Sequence, residues 1–450
     1  MNYTFLDTET TGLSKRYDYP LTFAAKTYNA DFELIDEISL QCGLRPGVIP
    51  SPYAIGTNKL KISDLKISNL SFFEMMREIH KYIQKHSPSY IIGHNSLKYD
   101  EEILRSCFYL SLLPTYITQL LGNERADTMN MAIAASVFTP GAITVELNGK
   151  NVPKYNLESL AKINSLIHEE AHTALSDANA CAELTRKIMQ YDRQFFDDYM
   201  ATTSKKKVER FLKDNLAFCH APKFGKRYIL TKCAMASASE VISFDLKADP
   251  ADYFDLSAKE LSRIIREKDS PFFFIKTNQH PGFMSMTYKK YMDYDLSNEL
   301  LMDRARQIVE NEKFQQACLM AAKLSAPTYP EGATVEEKIY SGGFPDDFDQ
   351  LLMKKFHEAA WNERVEIAKQ FSDKRFEEMA ERILYEFNPA LLGTDALTRV
   401  ERTIHTRLHD LDNKPRSLHQ SIQELEDYKT KNPGVLQQPL QEYEEYLKAI

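Results

Sequence analysis

The chain opens on an alternation. Tyr3, Phe5, Asp7 and Glu9 fall at period two, so in a strand all four leave one face, two rings followed by two carboxylates. Leu21 to Asn29 and Phe32 to Cys42 read as two further strands joined at Ala30-Asp31, and Leu34, Ile38 and Leu40 share one face of the second. The period then changes. Phe72, Met75, Met76, Ile79 and Ile83 recur at the spacing of an amphipathic helix, and Tyr90-Ile91-Ile92-Gly93 reads as a short buried strand after it. A β-β-β-α-β order predicts an α/β domain.

Each of the next two principal helices carries one misfit. Asp100 stands in register with the stripe Ile103, Leu104, Cys107 and Phe108. Asp177 stands in register with Cys181, Leu184 and Ile188, in a helix of about fifteen residues that begins near Ala174. A carboxylate facing a core costs several kcal/mol unless it is protonated, paired or metal-bound. The alternative for Asp100 is a first-turn position, where free amides and the helix dipole satisfy an acid. Between the two helices, Pro140-Gly141 and the hairpin signal Asn148-Gly149, flanked by Ile143-Thr144-Val145 and Val152, predict turns.

Beyond residue 200 the pattern mixes. Residues 205 to 330 combine short strands such as Phe272-Phe273-Phe274-Ile275 with helical pieces, and 335 to 450 are mostly helical. Leu397, Val400, Ile404, Leu408 and Leu411 make one stripe there, and Asn432-Pro433-Gly434 breaks the pattern before a last helix. Ser325 to Asp346, with its proline and glycine clusters, reads as a linker. The expected domains are 1–195, 200–330 and 335–450, in keeping with about three for a chain of 450 residues.

Composition narrows the classes. With 43% hydrophobic and 27% charged residues this is ordinary globular protein. It has no run of about eighteen apolar residues to span a bilayer and no signal peptide, so no membrane partner is expected. Cys42, Cys107, Cys181, Cys219, Cys233 and Cys318 are widely spread and form no Cys-x-x-Cys pair, which argues against a zinc cluster or disulfide framework and for a reducing cytoplasm. A monomer is expected. The net charge of -8 leaves any nucleic-acid surface to a local patch. Lys205-Lys206-Lys207, and Lys223, Lys226 and Arg227 interleaved with Phe224 and Tyr228, can line a groove for a single strand, cations on its backbone and rings under its bases.

Four carboxylates gathered at one point repel each other, and divalent cations are the simple remedy. All-oxygen ligands select magnesium or manganese, and two such ions about 4 Å apart clamp a scissile phosphate. A histidine nearby can take the proton of an attacking water. His172 precedes Asp177 by five residues, about 140° further round an ideal helix, which places it in the entry loop instead of on the same face. A rival motif overlaps it: His168-Glu169-Glu170-Ala171-His172 matches the zinc-protease signature, with Glu183 the nearest third ligand, but it leaves Asp7, Glu9, Asp100 and Asp177 unexplained.

Taken in order, Asp7-Thr8-Glu9-Thr10-Thr11-Gly12, then Gly93-His94-Asn95-Ser96-Leu97-Lys98-Tyr99-Asp100, then His172 five before Asp177 resemble the motifs of the DEDDh 3′ to 5′ exonucleases. The resemblance implies a ribonuclease H-like α/β exonuclease domain. It also implies two Mg2+ ions on Asp7, Glu9, Asp100 and Asp177, with His172 as general base. The closer resemblance is to the bacterial exodeoxyribonuclease I family, and it runs the whole chain. It is carried by Val241-Ile242-Ser243-Phe244-Asp245-Leu246, Phe254-Asp255-Leu256-Ser257 with Leu261, Ile275-Lys276-Thr277-Asn278-Gln279 before His280-Pro281, and Glu337-Lys338-Ile339-Tyr340-Ser341-Gly342-Gly343-Phe344.

That family implies a small α+β SH3-like middle domain, an α-helical C-terminal domain and removal of 5′-mononucleotides from single-stranded DNA. It further implies a role in DNA repair and contact with single-stranded DNA-binding protein. It places Glu9, Arg105 and Tyr116 beside the nucleic-acid strand and Lys205 at the junction with the middle domain. Two departures stand out. Asn156, before Leu157-Glu158, occupies the position of the family's arginine, and Leu384-Tyr385-Glu386-Phe387-Asn388-Pro389 lacks expected arginines, which implies a weaker grip on phosphate. Two other readings are a 3′ to 5′ exoribonuclease and a nucleic-acid binding module with a dead site; the five filled catalytic positions argue against the latter.

Overall fold

The computed structural model describes residues 1–167, 173–223, 225–410, 414–432 and 438–450. The four predicted strands form, as β1 (Asn2–Thr10), β2 (Pro20–Tyr28), β3 (Leu34–Gln41) and β4 (Ser89–Gly93), and β5 (Glu124–Asp127), which no period marks, completes the first sheet. Its order is β3-β2-β1-β4-β5, with β1, β2 and β3 antiparallel and β4 and β5 running parallel to β1. β1 is central and covered on both faces. Tyr3 and Phe5 join a core with Leu184 and Ile188 of the helix Ala174–Tyr191, while Leu6 joins a second core with Met76 and Ile79 of the helix Phe72–His86. Its alternation is therefore ring against helix on one side, with the acids at the open C-terminal end of the same face.

The middle unit is a second sheet of β6 (Phe218–Lys223), β7 (Lys226–Ser237), β8 (Glu240–Asp245), β9 (Phe272–Lys276) and β10 (Met284–Ser285), antiparallel in the order β10-β6-β7-β8-β9. It shares a core with the first unit: Met131 and Phe138 of the helix Thr128–Phe138 lie in one cluster with Cys219, Met284 and Tyr288.

The C-terminal unit is helical, as the stripe predicts, although only Val400 of that stripe is fully buried and Leu411 lies outside the described residues. It docks on the first unit twice. Leu425, Leu440, Tyr443 and Leu447 pack with Ile49, Ile55, Ile62 and Leu65, and the Tyr443 hydroxyl donates to the Pro50 carbonyl at 2.6 Å. Phe73, Tyr109 and Leu112 pack with Leu352, Phe356 and Leu384.

Two expectations need correcting. The linker predicted to run to Asp346 is packed over its second half, because Val335 and Ile339 are buried in that last cluster and Lys338–Ser341 is helical. The Asn148-Gly149 hairpin reduces to one bridge, Leu147 to Pro153, around a wider turn in which Asn151 takes φ 56. Leu147 and Val152 are exposed, so no burial drives the strands to extend. Among the described residues, no helix is long and apolar enough to cross a membrane.

Candidate active site

Asp7 and Glu9 leave the end of β1 on the face that packs against Ala174–Tyr191, and Asp177 lies in that helix's first turn. Each of the three offers one carboxylate oxygen within 4.8 Å of the other two. Asp100, first residue of the helix Asp100–Leu110, does not join that triplet of oxygens. It is buried, 4% exposed, and accepts the Thr8 hydroxyl at 2.5 Å, from the opposite face of β1. Three acids converge, and the fourth stands against the strand that carries two of them.

Electrostatics ties the four together. Burial, then the charges of Asp100, Asp177 and Glu9, holds the Asp7 carboxyl well above the usual carboxylate range. Burial and the charges of Asp177 and Asp100 push Glu9 up to about 8. Burial raises Asp100 to about 7, against the opposing pull of the Thr8 hydrogen bond. Without a cation, Asp7, Glu9 and Asp100 are thus inclined to hold protons near neutrality.

The loop before Asp100 is fixed by a carboxylate that pattern reasoning missed. Asp127 is 1% exposed and accepts from the amides of Asn95 (3.0 Å), Leu97 (3.3 Å), Met129 (3.0 Å) and Asn130 (3.2 Å). It caps the helix Thr128–Phe138 and pins the loop in one move. Gly93 is needed at the loop's start, because a Cβ there would stand 2.9 Å from the Leu6 carbonyl of β1. Tyr99 finishes the placement, its hydroxyl donating to the Gly12 carbonyl at 2.7 Å.

His94 is held neutral. Its Nε2 lies 2.7 Å from the Tyr155 carbonyl and so donates, which leaves Nδ1 to accept from the Thr128 hydroxyl at 2.9 Å; burial lowers its pKa to about 4. His172 and the rival His168-to-His172 motif lie outside the described residues. Glu183, the rival's third ligand, is engaged by Arg186.

The expected strand contacts are spread more widely. Arg105 is buried, donating to Glu102 at 2.5 Å and to the Tyr340 hydroxyl at 3.0 Å, with its guanidinium 5.1 Å from the Tyr116 ring. Tyr116 in turn lies 5.9 Å from Phe344, which is 80% exposed. Arg16, which no periodicity marks, joins this group, 2.7 Å from the Ser106 hydroxyl and 4.8 Å from the Tyr340 ring.

Asn156 is exposed at the start of the helix Leu157–Ile163 and makes no side-chain cap there. The lysine run divides: Lys205 lies 3.6 Å from Glu209, and Lys207 turns inward to Glu124 at 2.6 Å. Lys223, Lys226 and Arg227 are exposed at the β6–β7 turn, and Phe224 lies outside the described residues. Tyr228 faces Phe273 of its own sheet, with ring centroids 4.4 Å apart.

Sheet order, central acidic strand and acid-bearing helices together define a ribonuclease H-like exonuclease domain. The family model described as "Exonuclease" matches residues 4–185, and the "Exonuclease I C-terminal domain" matches 333–450. Between them they account for most of the chain, and the chain belongs to the bacterial exodeoxyribonuclease I family. Exodeoxyribonuclease I of Haemophilus influenzae is 27% identical over 208 residues, 46% of this chain and 44% of that protein, so the match spans less than half of the relative's length. The Escherichia coli K12 protein of that name is 22% identical over 406 residues, 84% of this chain and 83% of its own. In fold, the structure of E. coli Exonuclease I in complex with a dA16 oligonucleotide superimposes with a TM-score of 0.87 at 19% identity, covering 100% of this chain and 99% of that one.

Proposed function

We propose that this chain is a 3′ to 5′ exonuclease that releases 5′-mononucleotides from single-stranded DNA, with Asp7, Glu9, Asp100 and Asp177 holding two magnesium ions, replaceable by manganese, and His172 acting as general base. The observation that carries the reading is the convergence of the Asp7, Glu9 and Asp177 oxygens within 4.8 Å of one another, beside a buried Asp100. Hard oxygen donors of this kind suit magnesium or manganese. Bound there, two such ions lower the pKa of the attacking water and offset the charge on the scissile phosphate.

The chain's own residues orient the rest. Thr8 fixes Asp100, and in this reading Glu9, near the end of the strand, also contacts the terminal nucleotide. His94 stays neutral and bonded at both nitrogens, so the proton of the water goes to His172, which the family resemblance places beside the site. Arg105 is already matched by Glu102, so with Tyr116 it offers an aromatic platform for bases more than a free phosphate ligand. Asn156 and Lys205 supply a neutral and a charged contact to the backbone. The role in repair and the contact with single-stranded DNA-binding protein rest on the family resemblance.

The test is digestion of 3′-labelled and 5′-labelled single-stranded DNA and RNA of one sequence, with magnesium or with EDTA, by the wild type and Asp177→Ala. Label leaving the DNA 3′ end first, with magnesium and wild type only, supports the reading. Faster loss from RNA makes the chain an exoribonuclease, and binding without cleavage in any metal makes it a binding module.

A further inference from the structure

The turn that follows the acidic strand is held from near the far end of the chain. Thr11 is fully buried, and its hydroxyl donates to Asp18 Oδ1 at 2.7 Å, while the Ser14 amide donates to Oδ2 at 2.7 Å. Asp18 thus closes the loop between β1 and β2 on itself. Arg416, from the helical unit, lies against the same carboxylate, Nη1 being 3.6 Å from Oδ1. That Nη1 also donates to the Ile49 carbonyl at 3.3 Å, and Nε donates to Glu424 at 3.0 Å. A Cβ on Gly12 would stand 2.7 Å from Asp18 Oδ2 and 3.0 Å from Arg416 Nη2, so the turn's backbone lies directly on the pair.

Arg416 is itself anchored. It precedes Ser417, the capping residue of the helix Leu418–Lys431, where Ser417 and Gln420 exchange side-chain and backbone hydrogen bonds. On the other side, the ladder between β1 and β2 shifts register between Glu9 and Thr10. Past that shift one ladder pair remains, Thr10 with Pro20, and the turn then fixes the path: the Thr11 amide donates to the Tyr19 carbonyl at 3.0 Å, and the Ser51 amide to the Thr11 carbonyl at 2.6 Å. Two residues separate Glu9 from the backbone that Asp18 and Arg416 press against. A metal-binding carboxylate works only within about 0.5 Å of its productive position.

Resting on the metal-dependent reading above, we infer that Asp18 and Arg416 are positioning residues for Glu9, through which the helical C-terminal unit sets the metal affinity of a site built on the first unit.

The test is Mn2+ titration followed by electron paramagnetic resonance on the full chain, with a thermal melt of each variant. Asp18→Asn and Arg416→Ala should each weaken Mn2+ binding about 10-fold, the usual scale for groups that orient a ligand. The double variant should bind no more weakly than the worse single one, since both act through one turn. Arg416→Lys should fall between wild type and Arg416→Ala. Lys429→Ala breaks a surface pair with Glu426 (3.1 Å) and Glu444 (2.8 Å) in the same helical unit and should bind as the wild type does. Unchanged Mn2+ affinity in folded Asp18→Asn and Arg416→Ala overturns the proposal, and so does an equal loss in Lys429→Ala, which would mark a general loosening. If Arg416→Ala does not fold, Arg416→Lys and Asp18→Asn decide it. A wild type that binds no Mn2+ sinks the metal-dependent reading and the proposal together, whereas loss of binding in Asp7→Asn alone sinks only the positioning role.

Discussion

Asp7 sits where its charge is least welcome, among three other acids and mostly out of water. Asp7→Asn should remove metal-dependent activity by roughly 10³-fold, the equivalent of several kcal/mol of charge stabilisation. The same change should raise the melting temperature of the metal-free protein at alkaline pH, where Asp7 would otherwise have to ionise beside three other acids. The pH dependence has a definite sign. Glu9 and Asp100, raised to about 8 and about 7, bind protons more tightly folded than unfolded, so their contribution to metal-free stability is full below the ordinary carboxylate range and lost as pH rises through 7 and 8. A divalent ion displaces those protons. The gap in melting temperature between metal-loaded and EDTA-treated protein should widen from pH 6 to pH 9, and calorimetry in two buffers should show proton release on binding. The charges themselves were legible in the sequence because each breaks an apolar rhythm. Their supports were not. Thr8, Tyr99 and Asp127 are unremarkable in any local window, and all three work across long separations, Thr8 to Asp100, Tyr99 to Gly12 and Asp127 to Asn95.

Among the elements, the loop from Gly93 to Asp100 depends most on a single side chain. Asp127→Ala would leave four amides without their acceptor, two of them in the loop and two at the head of the following helix. Loss of the cap together with newly unsatisfied buried amides should cost about 2–4 kcal/mol in urea unfolding, with activity falling further than stability as Asp100 drifts from β1. Four of the five strands, and the two helices that position the acids, were readable from their periods; Glu124–Asp127, four residues with three charges, carries no apolar period to read. The Asn148-Gly149 hairpin was not, because a turn sequence specifies strands only where a buried face rewards pairing, and Leu147 and Val152 lie in water. The lysine run was likewise ambiguous: a string of cations does not show which one will turn inward, and Lys207 does so because Glu124 waits there.

For the molecule as a whole, the change from mixed strands and helices to an all-helical C-terminal stretch was legible and the continuity between these regions was not. One core runs from Phe138 to Met284, and another joins Ile55 to Leu447, pairs that no sequence window contains together. Unfolding should therefore be a single calorimetric transition for the full chain, and a fragment ending at residue 330 should aggregate because Ile49, Ile55, Ile62 and Leu65 lose their cover; two resolved transitions, or a soluble and folded fragment, would contradict this. The same docking bears on how the protein is born. A chain leaves the ribosome from its N-terminus, and the acidic strand emerges long before Leu440, Tyr443 and Leu447 do. Until those last helices arrive, the apolar side of the first unit stays open and the turn beside Glu9 has no Arg416 against it. A nascent polypeptide would thus hold its divalent ions more weakly than the docked chain, and the proposed digestion of nucleic acid would gain its full rate only once Arg416 reaches the turn.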